Sequence, residues 1–345
     1  MAYTTITDPS AHFQTALYNG SGGNQSLTNT GNSNLQPDWV WIKKRAGGTA
    51  RNHILTDSSR GVTKCISTSL TDAEFTNSYG LTAFGTDGFT VGSYDSVNES
   101  GGTYVGWQWK ANGGTTASNS NGTITSTVQA NTTAGFSIIS YTGNGTNGAT
   151  IGHGLSQTPQ IFFPKCLSTT TNWEMYYFPT GGTKQYGYLN LTNAFATWSY
   201  TAPTSTTIGL SGSGDSNGNG RTMIGYAFHS VQGYSKIGTY TGNGNANGPF
   251  VYTGFKPAWI MFKQTGNTGG WTMKDNKRSP QNPADERLLA DVNNAESTGA
   301  DIDFLSNGFK CRTASNAVNG SESYIYMAFA ENPFVATNGV PTTAR

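Results

Sequence analysis

A chain of 345 residues with a formal net charge of +1, whose longest basic run is Lys43-Lys44-Arg45, offers no electrostatic footprint for a phosphate backbone, so no nucleic-acid partner is expected. Charged residues are 11% of the chain, well under the roughly 25% of ordinary globular proteins. Gly, Asn, Ser and Thr supply the polarity, while 8 Trp, 17 Tyr and 17 Phe argue against disorder and for folded β-modules with long polar loops. No stretch approaches the ~20 apolar residues that span a bilayer, and Met1-Ala-Tyr-Thr-Thr-Ile has neither the basic start nor the apolar run of a secretion signal. A soluble protein made in a cytosol, without membrane insertion, is expected.

In chain order, residues 1–12 read as a polar N-terminal lead. Phe13-Gln-Thr-Ala-Leu-Tyr18 is a first strand, and Trp39-Val-Trp-Ile42, apolar at every position, suits a central strand buried on both faces. His53-Ile-Leu and Val62-Thr-Lys-Cys-Ile66 read as shorter strands, and Thr86-Asp-Gly-Phe-Thr-Val91 as a hairpin turn running into a strand. Tyr104-Val-Gly-Trp-Gln-Trp109 closes a first unit, 13–110. Residues 111–134, which lack aromatics, read as a linker or insertion.

A second unit, 135–230, and a third, 231–335, follow, with a polar tail at 336–345. The short, partly apolar passage Phe228–Ile237 predicts that units two and three pack together while unit one is held more loosely. Asp285-Glu-Arg-Leu-Leu-Ala-Asp291 reads either as a helical turn or, by its alignment with Leu189, as a strand.

The units are copies. Tyr141-Thr-Gly-Asn-Gly recurs at Tyr240-Thr-Gly-Asn-Gly and, decayed, at Tyr18-Asn-Gly-Ser-Gly. After each comes a proline followed six residues later by a lysine: Pro37 and Lys43, Pro159 and Lys165, Pro257 and Lys263. Internal similarity decides the architecture before any other signal. Short strands punctuated by Gly, Asn and Pro, with hardly any helical periodicity, predict an all-β chain of three tandem antiparallel β-sandwich units, jelly-roll-like in connectivity.

The chemistry is sparse. His12, His53, His153 and His229 occupy unrelated places in the repeat and read as loop histidines, and no nucleophile motif is present. Cys65, Cys166 and Cys311 are odd in number and without metal-ligand spacing, so they read as small hydrophobes. Asn-X-Ser/Thr sequons are expected by chance in so Asn- and Thr-rich a chain. Glu174, Asp215, Asp301 and Asp303 are the carboxylates available to a glycosidase, but an enzyme is not the expectation. No catalytic residue, metal site or cofactor is assigned. Trp173 and Trp271 track the repeat and read as structural. Tyr186, Tyr188, Trp198 and Tyr200, beside many Asn and Thr, have two readings: rings that fill the sandwich or a seam, or a glycan-binding face.

Taken together, Tyr-Thr-Gly-Asn-Gly, Ile151-Gly-His-Gly-Leu-Ser-Gln-Thr-Pro159, Phe250-Val-Tyr-Thr-Gly-Phe-Lys-Pro257, Phe304-Leu-Ser-Asn-Gly-Phe309 and Ala328-Phe-Ala-Glu-Asn-Pro-Phe334 resemble a repeat domain of structural proteins of marine tailed bacteriophages, including cyanophages and pelagiphages. That domain carries no assigned chemistry. The resemblance spans most of the chain and implies a non-enzymatic virion protein, often labelled tail fibre. The expected partners are further copies of the chain in a homo-oligomer, above all a trimer, other virion proteins, and host-surface polysaccharide. The alternatives are a capsid-decorating or head-fibre protein and a carbohydrate-binding lectin module.

Overall fold

The computed structural model describes residues 3–335 and residue 339; the expected tail at 336–345 therefore lies, but for Gly339, outside the described residues. In the first third of the chain the strands are β1 (Phe13–Asn19), β2 (Gln25–Thr28), β3 (Trp39–Ala46), β4 (Ile54–Asp57), β5 (Lys64–Cys65), β6 (Phe75–Thr76), β7 (Leu81–Gly85), β8 (Gly88–Val91) and β9 (Thr103–Trp109). They make a sheet ordered β1-β9-β3-β4, a smaller sheet β2-β8-β7 and the short pair β5-β6.

The second third holds β10 (Ala117–Asn119), β11 (Ser126–Asn131), β12 (Phe136–Thr142), β13 (Thr150–Gly152), β14 (Ile161–Cys166), β15 (Glu174–Tyr177), β16 (Gln185–Tyr188), β17 (Ala196–Thr197), β18 (Thr207–Gly209) and β19 (Thr222–Phe228). Its sheets are β10-β11-β12-β19-β14-β15-β16-β17 and β13-β18. The last third holds β20 (Ser235–Thr241), β21 (Phe250–Tyr252), β22 (Phe255–Gln264), β23 (Thr272–Asp275), β24 (Leu288–Leu289), β25 (Ile302–Leu305), β26 (Gly308–Cys311) and β27 (Ser323–Pro333), in sheets β20-β27-β22-β23-β24 and β21-β26-β25. The fold is all-β, built of antiparallel sheets. In each large sheet the Tyr-bearing strand pairs with the closing strand, which pairs with the Pro-to-Lys strand. The stretch 285–291 supplies the two-residue strand β24, not a helical turn.

Side-chain alternation assigns two cores to each large sheet. Val40 and Ile42 of β3 turn toward the small sheet beside Leu81, Phe89 and Val91, whereas Trp39 and Trp41 turn the other way. The same division separates Phe162 from Ile161 and Phe163 in β14, and Ile260 and Phe262 from Trp259 and Met261 in β22. The three inner faces meet in one cluster that takes seven of the chain's eight tryptophans, together with Phe136, Tyr226, Phe228, Met327 and Phe329. Phe13, Trp109, Phe228, Trp259 and Phe329, drawn from all three thirds, lie with ring centroids 4.8–6.4 Å apart. Each fully buried aromatic removes on the order of 150–250 Å² from water, so this shared core is the main cohesive element. The first unit is not held loosely: Trp39, Trp41, Trp107 and Trp109 stand inside it.

Two further expectations are corrected. Residues 111–134 are not a free linker, since β10 and β11 lie within them and extend the second large sheet. Backbone amides of Ala111, Gly113 and Gly114 bond the buried Asp38 carboxylate. The N-terminal lead is likewise tied down, from Tyr3 on: the Tyr3 hydroxyl donates to Gly254 O and that of Thr4 to Gln232 O, both at 2.7 Å, and Ile6 is buried in the shared core.

The Tyr-Thr-Gly-Asn-Gly motif acquires a mechanical meaning. Tyr18, Tyr141 and Tyr240 each donate their hydroxyl to a carbonyl just before the closing strand, at Val97, Ser216 and Val318. The next residue there, Asn98, Asn217 or Asn319, is fully buried and accepts an amide of the motif loop, from Ser21, Asn144 or Asn243, at 2.8–3.0 Å. A Cβ on Gly20, Gly143 or Gly242 would stand 2.0–2.3 Å from a carbonyl oxygen of that same loop, which is why the motif keeps glycine there.

Candidate functional site

The seams between sandwiches are built from equivalent residues. Lys43, Lys165 and Lys263, the lysines of the proline-to-lysine spacing, are all fully buried. Each donates to a carbonyl of the neighbouring sandwich: Lys43 Nζ to Asn293 O at 3.2 Å, Lys165 Nζ to Thr71 O at 3.0 Å and Lys263 Nζ to Thr192 O at 3.2 Å. A carbonyl of its own sandwich completes each cradle, at Lys44, Thr171 and Gln264. Burial lowers the pKa of all three ammonium groups to about 8. Two residues after each lysine, a main-chain carbonyl accepts across the same seam: Arg45 O from Glu296, Leu167 O from Glu74 and Thr265 O from Phe195.

Trp173 and Trp271 do the same one strand further on, their indole N–H groups reaching Ser67 O and Tyr188 O at 2.8 Å. The position that they share is filled in the first sandwich by His53, whose Nε2 lies 2.9 Å from Leu289 O. Because Trp41 donates to His53 Nδ1, the ring proton sits on Nε2 and points at that carbonyl. Burial holds this imidazole well below the usual histidine range, in keeping with a neutral donor. His53, in the loop just before β4, is therefore a buried seam residue, and His153 and His229, also outside the strands, are likewise buried. First reaches third, third reaches second and second reaches first, so the three seams close a ring.

The four aromatics named from sequence converge on the second sandwich. Tyr186 and Tyr188, two apart on β16, have ring centroids 6.2 Å from each other; Tyr186 lies 6.4 Å and Tyr200 4.8 Å from Trp198. Trp198 is not itself a surface platform: it is buried against Tyr176 and Phe178, with centroids at 4.0 and 5.7 Å. The three tyrosines above it are partly exposed. Glu174, opposite Tyr188 in the β15–β16 pairing, is buried and accepts from the Tyr176 and Ser213 hydroxyls. Burial raises its pKa, as it raises that of Asp215, which accepts the Asn172 amide. Burial, with Glu174 and Asp215 nearby, also pushes the Tyr188 hydroxyl up to about 12. The arrangement sets three half-exposed rings over the buried Trp198, beside carboxylates whose oxygens accept Tyr176, Ser213 and Asn172.

Other carboxylates are committed to structure. Asp57 binds Arg60 at 2.6 Å and accepts the Tyr226 hydroxyl from across a seam; Asp275 binds Arg278 at 2.5 Å and accepts the Trp107 indole N–H. Asp303 faces Arg312 at 3.4 Å. Among the described residues no group of three or more His, Cys, Asp or Glu side chains gathers as a metal site, and no helix is long and apolar enough to cross a membrane. Cys65, Cys166 and Cys311 are free and buried, one in each sandwich's own core.

Residues 8–333 match the model of a family described as a domain of unknown function, DUF7483, and the chain belongs to that family. No curated protein and no solved structure matches it.

Proposed function

For this DUF7483 member we propose a non-enzymatic structural role in a bacteriophage virion, as a tail-fibre or appendage subunit that presents the second sandwich to host-surface polysaccharide. The observation that carries the structural part is the ring of buried lysine clasps. It ties three sandwiches of one chain into a stiff body, using the repeat's own recurrent residues, and the motif resemblance supplies the phage context. On this reading the recurrent residues serve cohesion, and assembly of copies into a homo-oligomer, a trimer for a fibre, uses outer surfaces. The alternative placements are a capsid-decorating or head-fibre protein bound to other virion proteins, and a free lectin module.

The glycan part rests on Tyr186, Tyr188 and Tyr200, with Trp198 as their buried support. Replacing both tyrosines of β16, Tyr186→Ala with Tyr188→Ala, is expected to abolish binding of host polysaccharide in a pull-down while the circular dichroism spectrum stays native. Wild-type binding by the folded double variant would remove this face from consideration. A map of the particle by cryo-electron microscopy distinguishes the placements: a threefold bundle leaving the tail supports the fibre, and copies spread over the shell support decoration.

A further inference from the structure

An asparagine followed by glycine is chemically labile, because the nitrogen of the next residue attacks the side-chain Cγ and glycine brings no Cβ to obstruct it. The attack asks two things of the structure: an amide nitrogen that no acceptor holds, and an asparagine side chain free to turn over it. The chain repeats the Asn-Gly pair many times, and the fold withholds at least one condition at nearly every copy.

In the motif loops the Gly20 amide donates to Gly102 O, that of Gly145 to Asn217 O and that of Gly244 to Asn319 O, at 2.8–2.9 Å. On the loops facing them, Gly220 donates to Gly143 O and Gly320 to the Tyr324 hydroxyl. Gly148 and Gly248 donate to Leu210 O and Cys311 O, and Gly113 to the Asp38 carboxylate. Gly308 is paired on both sides within its sheet, with Leu305 and Tyr252. At Asn217-Gly218 the asparagine is fully buried, and its side chain is held by Asn144 and Thr146. Asn338 lies outside the described residues.

Asn121-Gly122 differs. It stands in the turn between β10 and β11, where Asn121 is exposed. Among the described residues neither its side chain nor the Gly122 amide has a hydrogen-bond partner. The chain is fixed on either side of the pair: the main-chain amide of Asn121 donates to Asn119 Oδ1 at 3.0 Å, and Thr123 exchanges bonds with Thr150 at 3.0 and 2.8 Å. The reacting atoms thus lie on an undocked link held at both ends.

We propose that Asn121 is a deamidation site of the folded protein. The Gly122 nitrogen forms a bond to Asn121 Cγ, the Cγ–Nδ2 bond breaks, and ammonia leaves with the amide proton, giving a succinimide. Water then opens the ring, at Cγ to leave aspartate or at the main-chain carbonyl to leave isoaspartate, whose backbone runs through Cγ. No electrons are transferred, and water is the one co-reactant. Aspartate merely places a carboxylate in solvent. Isoaspartate lengthens the main chain by one carbon just before Gly122, which lies so close to β13 that a Cβ there would stand 2.4 Å from Thr150 O. The added carbon displaces the pairing of Thr123 with Thr150, and with it Ile124, buried in the second sandwich's core. This inference is independent of the glycan reading.

The test is peptide mapping of the full chain, kept folded in mildly alkaline buffer, by mass spectrometry with electron-transfer fragmentation, which separates isoaspartate from aspartate. Asn144-Gly145-Thr146 repeats the tripeptide Asn121-Gly122-Thr123 and is the internal control. Conversion at Asn121 is expected to be at least about tenfold faster than at Asn144, whose glycine amide must first be released by local opening. Isoaspartate is expected among the products, since it forms only through the succinimide, and in urea the two rates should converge. Asn121→Asp should keep the wild-type thermal midpoint, whereas the aged fraction carrying isoaspartate should melt below it. Equal rates in the folded chain, a difference that persists in urea, or aspartate without isoaspartate would each overturn the assignment. An isoaspartate fraction that melts with Asn121→Asp would overturn its structural consequence.

Discussion

At the scale of single residues, the lysine clasps show how a cation without a carboxylate partner in contact is accommodated inside a protein. Each ammonium faces carbonyl oxygens from two sandwiches, and burial holds its pKa near 8, against an ordinary value of 10.5. Between those two values the unfolded chain binds protons that the folded chain does not. Stability therefore rises as pH increases through about 8, and below that value the cost of burying the charge is fully present. Above about pH 10 the trend reverses, because the unfolded chain loses tyrosine protons that burial retains in the folded one. Urea titrations at about pH 7 and about pH 9.5 should show the higher midpoint at the higher pH. Lys165→Met should cost about 1–3 kcal/mol by leaving the Thr171 carbonyl without its donor, while the Thr71 carbonyl keeps the Thr171 amide, and should lessen that pH dependence only in part, because Lys43, Lys263 and the buried Lys274 carry the rest. An unchanged midpoint in Lys165→Met would mean that the clasp contributes nothing.

The proline-to-lysine spacing was legible in the sequence; its purpose was not. The acceptors, Asn293, Thr71 and Thr192, lie in other sandwiches and contribute only main-chain oxygens, which leave no mark on residue identity. His53 was missed for a related reason. It shares its position with Trp173 and Trp271 through a common role as an N–H donor, and not through a common side chain.

At the scale of elements, β11 is the informative case. Small polar residues without aromatics made 111–134 read as a linker, yet Ile124, Val128 and Ala130 all stand at even positions of the stretch and turn toward the second sandwich. That weak alternation was the available signal for a strand with one buried face. The other face carries Gln129, fully buried, whose Oε1 accepts the Gly114 amide at 2.8 Å while its Nε2 donates to Ser58 and Ser59 at 3.0 and 2.7 Å. Gln129→Ala strands this set of partners and should destabilise the chain by about 2 kcal/mol. The loss is read as a shift in the thermal midpoint beside the exposed control Lys277→Met, which should stay within about 0.5 kcal/mol of wild type. A Gln129→Ala chain as stable as the control would return 111–134 to the status of a peripheral segment.

At the scale of the whole molecule, the all-β antiparallel class was legible from the short, turn-punctuated strands, and the hairpin at Asp87 falls where the turn residues placed it. What the repeat left open was closure. Three sandwiches in a row and three in a ring have the same sequence periodicity. They differ only in whether the third copy meets the first, as it does where His53 and Lys43 reach Leu289 and Asn293. The tryptophans argued for burial but not for a common centre, because a strand apolar on both faces is equally at home in a lone three-layer unit.

Closure has one thermodynamic consequence that a string of sandwiches lacks: no third can lose its inner face without opening the shared core of the other two. Differential scanning calorimetry of the full chain tests this most directly. A single transition is expected, with calorimetric and van't Hoff enthalpies in agreement, the signature of one cooperative unit. Separate transitions, or an early transition confined to residues 13–110, would contradict the closed ring and restore a chain of independently folding modules.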